Sequence, residues 1–446
     1  METSCLTSIA IVLGLLLSAA AGGADVTVRA SAWAAHAAQD SSWQEHARAA
    51  DSAAAHRDWA RYLHHARVVD SLLHHHPRAA VGLARGYAQR GDTAVALGVL
   101  RALVAAGISR DVTGDSLLRP LVGSSQWAAI VRGLAANAAP RGRARQTFAL
   151  SDSGFAAEDI AYDARRDRYL LSSIARRSIM VVEGGGREHT LAASSPGAPL
   201  WAVLALGVDS ARDRLWATTI GNDRIPGLAP GARPRASILR LDLATGRIAR
   251  RFDLPDDGVP REPGDLVVAP DGDVFVTDGR TGAIYAIRLA TDALDTLVAA
   301  GVLTGPQQPV VAHDGRTLIV PDYVRGLASV DRSSGAVRWL ANPPTIAVNG
   351  IDGLQWWGPH MLIAVQNGVA PARIVRFTID EARGAVTRSE VLAQGGAISD
   401  PTHGIIVGDE YVLIAYSGGG ALLPDGSVRP GAEALPPTVA RLRLAP

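Results

Sequence analysis

The chain has 446 residues, of which 48% are hydrophobic, and its 44 basic and 43 acidic side chains leave a formal net charge of +1. This balance excludes an intrinsically disordered chain and offers no electrostatic footprint for nucleic acid. The basic side chains are all Arg, so there is no Lys for a Schiff base, a P-loop or a serine–lysine pair. The length exceeds what one hydrophobic core usually supports, and we expect at least two domains.

Residues 1–24 have the features of a secretory signal peptide. An apolar run of about thirteen residues from Ile9 to Ala21 is followed by small residues, and it is shorter than the ~20 residues of a membrane-spanning helix. The sequence therefore predicts an exported protein, periplasmic or secreted, with no membrane span in the mature chain. Cleavage would remove Cys5, the only cysteine, and with it any disulfide. A buried N-terminal helix is the alternative, because the only charge before the run is Glu2.

Residues 26–139 are rich in Ala, Leu and His and are spaced for amphipathic helices. Similar segments begin at Asp58, Asp92 and Gln126, at intervals of 34 residues. This is the period of tetratricopeptide repeats, in which each helix pair packs against the next. Residues 83–87, followed by Gly91, Asp92 and Ala96, resemble that pattern. We expect two or three such repeats that offer a docking surface for a protein partner. A generic helical bundle is the alternative.

This helical region holds eight of the chain's twelve His, including the pair His64–His65 and the run His74–His76 before Pro77. Neighbouring residues on a helix cannot both face one metal ion. Histidine near a helix C-terminus interacts favourably with the helix dipole, and we expect that role here. A surface metal site is the alternative.

Beyond an Arg-rich linker at residues 140–145 the sequence changes to short runs of Val, Ile, Leu and Tyr separated by Asp-Gly, Gly-Arg and Pro-rich turns. Six copies of a strand–turn–strand unit align between residues 146 and 446, about 50 residues each, the size of a four-stranded blade with its loops. The innermost strand of each copy begins with one residue of the set Asp159, Ala205, Asp265, Gln308, Asp352 and His403.

These copies predict a six-bladed β-propeller, because radial repetition buries both faces of each sheet and leaves only short edges. Seven or eight blades are the alternative. We expect the ring to close through residues 146–150, paired beside the final strand. The predicted fold class is thus an α + β two-domain protein, in which a short α-helical tetratricopeptide-like stack precedes a six-bladed all-β propeller.

Three segments, at residues 158–163, 263–266 and 349–354, resemble the SMP-30/gluconolactonase/LRE-like family of six-bladed propellers. The resemblance covers about the last three hundred residues. It implies hydrolysis of lactones or related esters with a divalent metal, often calcium, on the central axis. It also implies that the usual ligands are a Glu before the first inner strand and Asn or Asp residues before later ones.

Position by position, the resemblance matches Glu158 to the first metal ligand. At two other positions of the family's pattern the residue differs. The family usually has an Asn before a Gly where this chain has Gly264, and it has an Asp where this chain has Gln307. Asp265 and Gln308 each lie one place after those positions. Either the register is shifted by one residue or the familiar metal site has been rebuilt.

Residues at the start of the innermost strands of a propeller converge on the mouth of its central channel. Carboxylate and amide oxygens suit a hard cation such as calcium, and a histidine admits a softer divalent metal. Such a metal would polarise an ester carbonyl and lower the pKa of a bound water. The predicted metal ligands are Glu158, Asp159, Asp265, Gln308 and Asp352, and the predicted catalytic residues are Asp265, Asp352 and His403.

Two alternatives involve the same residues. Asp and Gln at strand starts also cap the backbone of neighbouring blades, which would be a purely structural use. The axis could also hold a metal or a small-molecule ligand without turnover. In that case the chain is a non-catalytic binding protein, whose helical stack docks a partner and whose propeller face binds the ligand.

Overall fold

The computed structural model describes residues 42–195, 200–221, 234–423 and 426–444. The predicted signal peptide, residues 1–24, lies outside these ranges. Among the described residues, no helix has both the length and the apolar character needed to cross a membrane.

The described N-terminal part of the chain is helical. It forms the α-helices α1 (Ser42–Ala55), α2 (Trp59–Leu72), α3 (Pro77–Gln89), α4 (Thr93–Ala105) and α5 (Trp127–Ala136), with a 3-10 helix (Ser116–Leu121) before α5.

The 34-residue period of the sequence corresponds to the helix starts. Helices α2, α4 and α5 begin at Trp59, Thr93 and Trp127. Asp58 caps α2 by accepting a hydrogen bond from a backbone amide in its first turn. In the third unit the 3-10 helix occupies the place of a first helix and contains Pro120, which lacks the N–H that a regular helix needs. The assignment to the tetratricopeptide class stays a prediction.

In the described part of the chain after the helices, twenty-four strands form six four-stranded antiparallel sheets. Blades 1 to 3 comprise β2 (Ala157–Asp163), β3 (Arg168–Ser173), β4 (Ser178–Glu183) and β5 (Glu188–Ala193); β6 (Ala202–Asp209), β7 (Arg214–Gly221), β8 (Arg235–Asp242) and β9 (Ile248–Asp253); and β10 (Pro263–Val268), β11 (Val274–Asp278), β12 (Ile284–Arg288) and β13 (Ala293–Val298). Blades 4 to 6 comprise β14 (Val310–Val311), β15 (Thr317–Asp322), β16 (Gly326–Asp331) and β17 (Val337–Trp339); β18 (Ile351–Trp357), β19 (Met361–Gln366), β20 (Arg373–Asp380) and β21 (Ala385–Gln394); and β22 (Gly404–Val407), β23 (Glu410–Tyr416) and β24 (Thr438–Arg443) with β1 (Arg145–Ala149).

The ring closes through blade 6, whose strand order is β1–β24–β23–β22. Strand β1 pairs antiparallel with β24, so that Phe148 lies opposite Val439. Pairing the first strand with the last joins the two ends of the propeller within one blade. The six-bladed propeller after a helical region, and its closure by the first strand, are confirmed.

The helical region packs on one face of the propeller, and a buried arginine of blade 5 makes the central contact. Arg373 is 2% exposed. Its Nε donates to Oε1 of Gln366 at 2.7 Å, and its Nη1 donates to the backbone carbonyls of Ala106 at 3.0 Å and Gly107 at 2.9 Å. These carbonyls follow α4, and helix C-termini present unpaired carbonyls to such donors. Burial, aided by the charge of Arg141, lowers the pKa of Arg373 to about 10, so the side chain stays charged near neutral pH.

Two buried amides extend this contact. Nδ2 of Asn349 donates to the carbonyl of Leu73 at 3.0 Å, and Nε2 of Gln394 donates to the carbonyls of Asn137 at 2.8 Å and Ala139 at 2.6 Å. Because strands alternate in direction within a blade, the start of β18, the start of β20 and the end of β21 all lie on the same propeller face. The helices therefore occupy part of the face on which the innermost strands begin.

Candidate metal centre on the propeller axis

Three residues at the starts of innermost strands meet on the axis. Asp265 lies in β10, Asp352 lies in β18, and His403 immediately precedes β22. One ligand atom from each lies within 4.8 Å of the others, and Asp265 and His403 are buried while Asp352 is half-buried. We call these three residues the axial cluster. They converge because each blade directs the start of its inner strand toward the same channel mouth.

His403 is held in a defined orientation. Its Nδ1 lies 3.0 Å from the backbone carbonyl of Glu158. A carbonyl only accepts hydrogen bonds, so Nδ1 carries the proton and Nε2 faces the cluster. Nε2 lies 2.7 Å from Oδ1 of Asp265, yet neither atom has a partner with hydrogen-bond geometry. A neutral imidazole would bring two lone pairs together here, and this contact therefore calls for a proton or a cation.

Two amides position the carboxylates of the cluster. With its amide oriented so that both ends find partners, Gln307 donates to Oδ2 of Asp265 at 3.0 Å and to Oδ1 of Asp352 at 3.2 Å. Nδ2 of Asn367 donates to Oδ2 of Asp352 at 2.6 Å and to the carbonyl of Pro401 at 3.0 Å. The two amides thus fix the orientation of each carboxylate. Because an amide is uncharged, they do not balance the negative charge.

The axis concentrates negative charge. Burial, followed by the charge of Asp352, raises the pKa of the half-buried Glu158 to about 8. Burial raises the pKa of Asp352 to about 6, with His403 opposing and Asp265 adding to the rise. For His403 burial lowers the pKa, but Asp265, Asp352 and Asp159 together raise it well above 6.5. The protons that these groups retain offset part of the negative charge on the axis, and a bound cation would offset the same charge.

Asp159 and Gln308, predicted as metal ligands, are engaged between blades. Asp159 accepts the backbone amide of Ile160 at Oδ1 and that of Leu206 in blade 2 at Oδ2, both at 2.7 Å. Oε1 of Gln308 accepts the amide of Leu354 in blade 5 at 2.9 Å. These bonds are the blade-capping use that the sequence left open as an alternative, and neither residue is among the three whose ligand atoms meet on the axis.

Asn367 was missed by sequence reasoning. It follows β19, the second strand of its blade, whereas the sequence predicts site residues at the starts of the innermost strands. The available signal was a polar Asn-Gly pair directly after a buried strand. Gln307 was noted in the sequence only as a departure from the family pattern, and in the structure it links two members of the cluster.

The donor set fits a divalent cation. It offers two carboxylates and an imidazole, and Glu158 lies beside them. Oδ1 of Asp265 and Nε2 of His403 are buried 2.7 Å apart and have no other hydrogen-bond partner, so a metal ion would take the place of the proton between them. Carboxylates suit calcium, and the imidazole also admits a softer divalent metal.

No protein-family model and no curated protein sequence matches this chain. Among solved structures, the chain is similar to luciferin-regenerating enzyme at a TM-score of 0.47 and 13% identity, over 68% of this chain and 95% of that one. It is also similar to a chain of a nidogen/laminin complex at a TM-score of 0.39 and 15% identity, over 53% of this chain and 80% of that one. At these identities the similarity is one of fold alone.

Proposed function

We propose that this protein is a metal-dependent hydrolase of lactones or small esters, and that Asp265, Asp352 and His403 hold its divalent cation. The proposal depends on one observation: their ligand atoms lie within 4.8 Å of one another, and two of those atoms are buried without hydrogen-bond partners. The resemblance of the sequence to the SMP-30/gluconolactonase/LRE-like family supports the choice of substrate class.

Each neighbouring side chain has a role in this proposal. When bound, the cation would supply a Lewis acid for the ester carbonyl and lower the pKa of a water molecule. Gln307 and Asn367 hold the carboxylates in place, and the Glu158 carbonyl fixes the ring of His403. Asp352 and Glu158 are half-buried, so they can be reached from the channel.

Glu158 is the proposed proton carrier, because it lies on the axis but outside the axial cluster. In its ionised form, which the charge of a bound cation would favour, the Glu158 carboxylate accepts a proton from water as the water oxygen bonds to the carbonyl carbon. The acyl C–O bond then breaks, and the proton passes from Glu158 to the departing oxygen. The products are a carboxylic acid and an alcohol, which remain on one molecule when the substrate is a lactone.

Cation binding is the first test. We expect calorimetry to show one site per chain for calcium, manganese or zinc, and at least tenfold weaker binding in Asp265→Ala. Asp409→Ala is the matched control, because Asp409 is exposed at the β22–β23 turn and its loss should leave binding unchanged. A wild-type chain that binds none of these cations would exclude the hydrolase.

Activity is the second test. A screen of lactones and aryl esters with the cation-loaded chain should reveal hydrolysis that Glu158→Gln reduces by about 100-fold. If the cation binds and the screen stays silent, the chain is a non-catalytic binding protein. That alternative is favoured by the capping roles of Asp159 and Gln308, which leave fewer ligands on the axis.

Export and a protein partner belong to the same proposal. N-terminal sequencing of the chain after expression with its first 24 residues would test cleavage, and an uncleaved, retained chain would count against export. A partner of the helical region would have to use the surface left free by the propeller, because α4 and the segment after α5 already contact blade 5.

A further inference from the structure

A second candidate site lies where the helices meet the propeller, away from the axial cluster. A cavity of about 380 Å³ opens between the C-terminal half of α2, the α2–α3 turn, α3 and the segment that joins β17 to β18. Its polar lining includes Arg67, Asp70, His74 and Asn342, and Ala341 forms part of its rim. We call it the junction cavity.

Asp70 is the buried anion of the junction cavity. It is 6% exposed, and its Oδ2 lies 2.7 Å from Nδ1 of His75. Its Oδ1 is buried and has no hydrogen-bond partner. Leaving a buried carboxylate oxygen without a donor is costly. A ligand that brings N–H groups into the cavity would remove this cost.

Two residues that also line the junction cavity carry neutral acceptors. Oδ1 of Asn342 is buried without a partner, while its Nδ2 donates to the carbonyl of Ile346 at 2.8 Å. Nδ1 of His74 is likewise buried and unpartnered. Burial, followed by the charge of Arg325, lowers the pKa of His74, so its ring is neutral near pH 7. The cavity therefore presents acceptors for hydrogen bonds around a negative charge.

The positive charge on the same wall is Arg67, three residues before Asp70 on α2. Opposite charges at this spacing commonly pair with each other on a helix. Here they take separate partners, since Nε of Arg67 donates to the hydroxyl of Tyr87 at 3.1 Å and its guanidinium lies over the Tyr87 ring. A cation and an anion thus face one cavity about one helical turn apart, and they are not neutralised by each other.

We propose that the junction cavity binds a small zwitterion that carries an ammonium and a carboxylate group, such as a free amino acid. The ammonium group lies at Asp70 and donates to the unpartnered oxygens, and the carboxylate lies at Arg67. A cavity of about 380 Å³ is large enough for a molecule of this class. This site does not depend on the axial metal or on the hydrolase proposal.

The test uses the full chain in the presence of a chelator, so that the axial cluster does not contribute. L-alanine and L-leucine are titrated by calorimetry, with ethylammonium and acetate as probes that carry only one of the two charges. We expect one amino acid per chain, with each single-charge probe bound at least tenfold more weakly. Ethylammonium that binds as tightly as the amino acids would overturn the zwitterion proposal, as would a wild-type chain that binds neither amino acid.

Three variants locate the site. Asp70→Asn and Arg67→Met should each weaken amino-acid binding at least tenfold, because each removes one charged partner. Ala341→Phe places a ring at the rim and should block binding while it keeps every acceptor, which covers the case in which Asp70→Asn fails to fold. Asp51→Asn, at an exposed position of α1, is the matched control. Unchanged binding in both Asp70→Asn and Ala341→Phe would overturn the proposal.

Discussion

The helical region and the propeller axis both bury ionisable side chains, with opposite effects on their protons. In the helical region burial lowers the pKa of His76 to about 4, with nearby arginines adding to the shift. On the axis burial raises the pKa of Glu158 to about 8 and that of Asp159 to about 6. The difference follows first from the chemistry of the groups, because burial favours the uncharged form, which is the deprotonated form of a histidine and the protonated form of a carboxyl group. Nearby charges add to both shifts: arginines beside His76 and other carboxylates beside Glu158. His76 thus gives up its proton more readily than a free histidine, whereas Glu158 and Asp159 retain theirs.

The two regions should therefore respond to pH in opposite directions. On the axis the folded state holds protons more tightly than the unfolded chain, so its unfolding free energy falls as the pH rises. For Glu158 this loss runs from about pH 4.5 to about pH 8. In the helical region the folded state holds protons less tightly, and His76 makes its unfolding free energy fall as the pH drops from 6.5 to about 4.

The substitution with the largest expected effect removes the contact that joins the two regions. Arg373→Met leaves the carbonyls of Ala106 and Gly107 buried without donors. We expect a loss of about 3 kcal/mol or more in the unfolding free energy, measured by denaturant unfolding, with hydrogen exchange increasing first in α4. Arg376→Met is the control in the same strand, because Arg376 pairs with the exposed Glu390 and should cost under about 1 kcal/mol. Equal losses in the two variants would contradict a special role for Arg373.

The next effect concerns the axis. The experiment is done in the presence of a chelator. Glu158→Gln then removes a carboxyl group whose raised pKa opposes its ionisation. At pH 8 we expect the variant to be more stable than the wild type by at least about 2 kcal/mol, and the difference should vanish near pH 4.5. Denaturant unfolding across this range measures it. Asp409→Asn, on the exposed turn of blade 6, should show the wild-type pH dependence. An unchanged pH dependence in Glu158→Gln would show that Glu158 is not the group that titrates.

The smallest effect lies in the helical region. Nδ1 of His76 accepts the backbone amide of Arg78 at 3.1 Å and so caps α3. Protonation removes this acceptor. We expect the wild type to lose about 1 kcal/mol of helical stability between pH 6.5 and pH 4, followed by circular dichroism at 222 nm. His76→Asn should retain the cap and lose that part of the pH dependence, since asparagine does not titrate. A variant as acid-sensitive as the wild type would assign the effect to other histidines.

The fold could be predicted further than the site. The recurrence of Asp58, Asp92 and Gln126 identified the starts of α2, α4 and α5, because helix starts depend on local spacing and capping. Asp159 and Asp265 looked equivalent in sequence, since both begin an inner strand. Only Asp159 finds the amide of the next blade, whereas Asp265 meets His403. That difference depends on how neighbouring blades are placed, which no local pattern records.

By itself the sequence determined the order of elements, the number of blades and the strand starts that point to the axis. These features follow from periods of hydrophobic and turn residues within about fifty positions of one another. Only the tertiary structure decided that the helices sit on the face with the axial cluster, that Arg373 joins them to blade 5, and that Asp70 faces a cavity. The physical reason is that a buried polar group is defined by its partners. Those partners lie up to 276 residues away along the chain, where sequence spacing carries no information about contact.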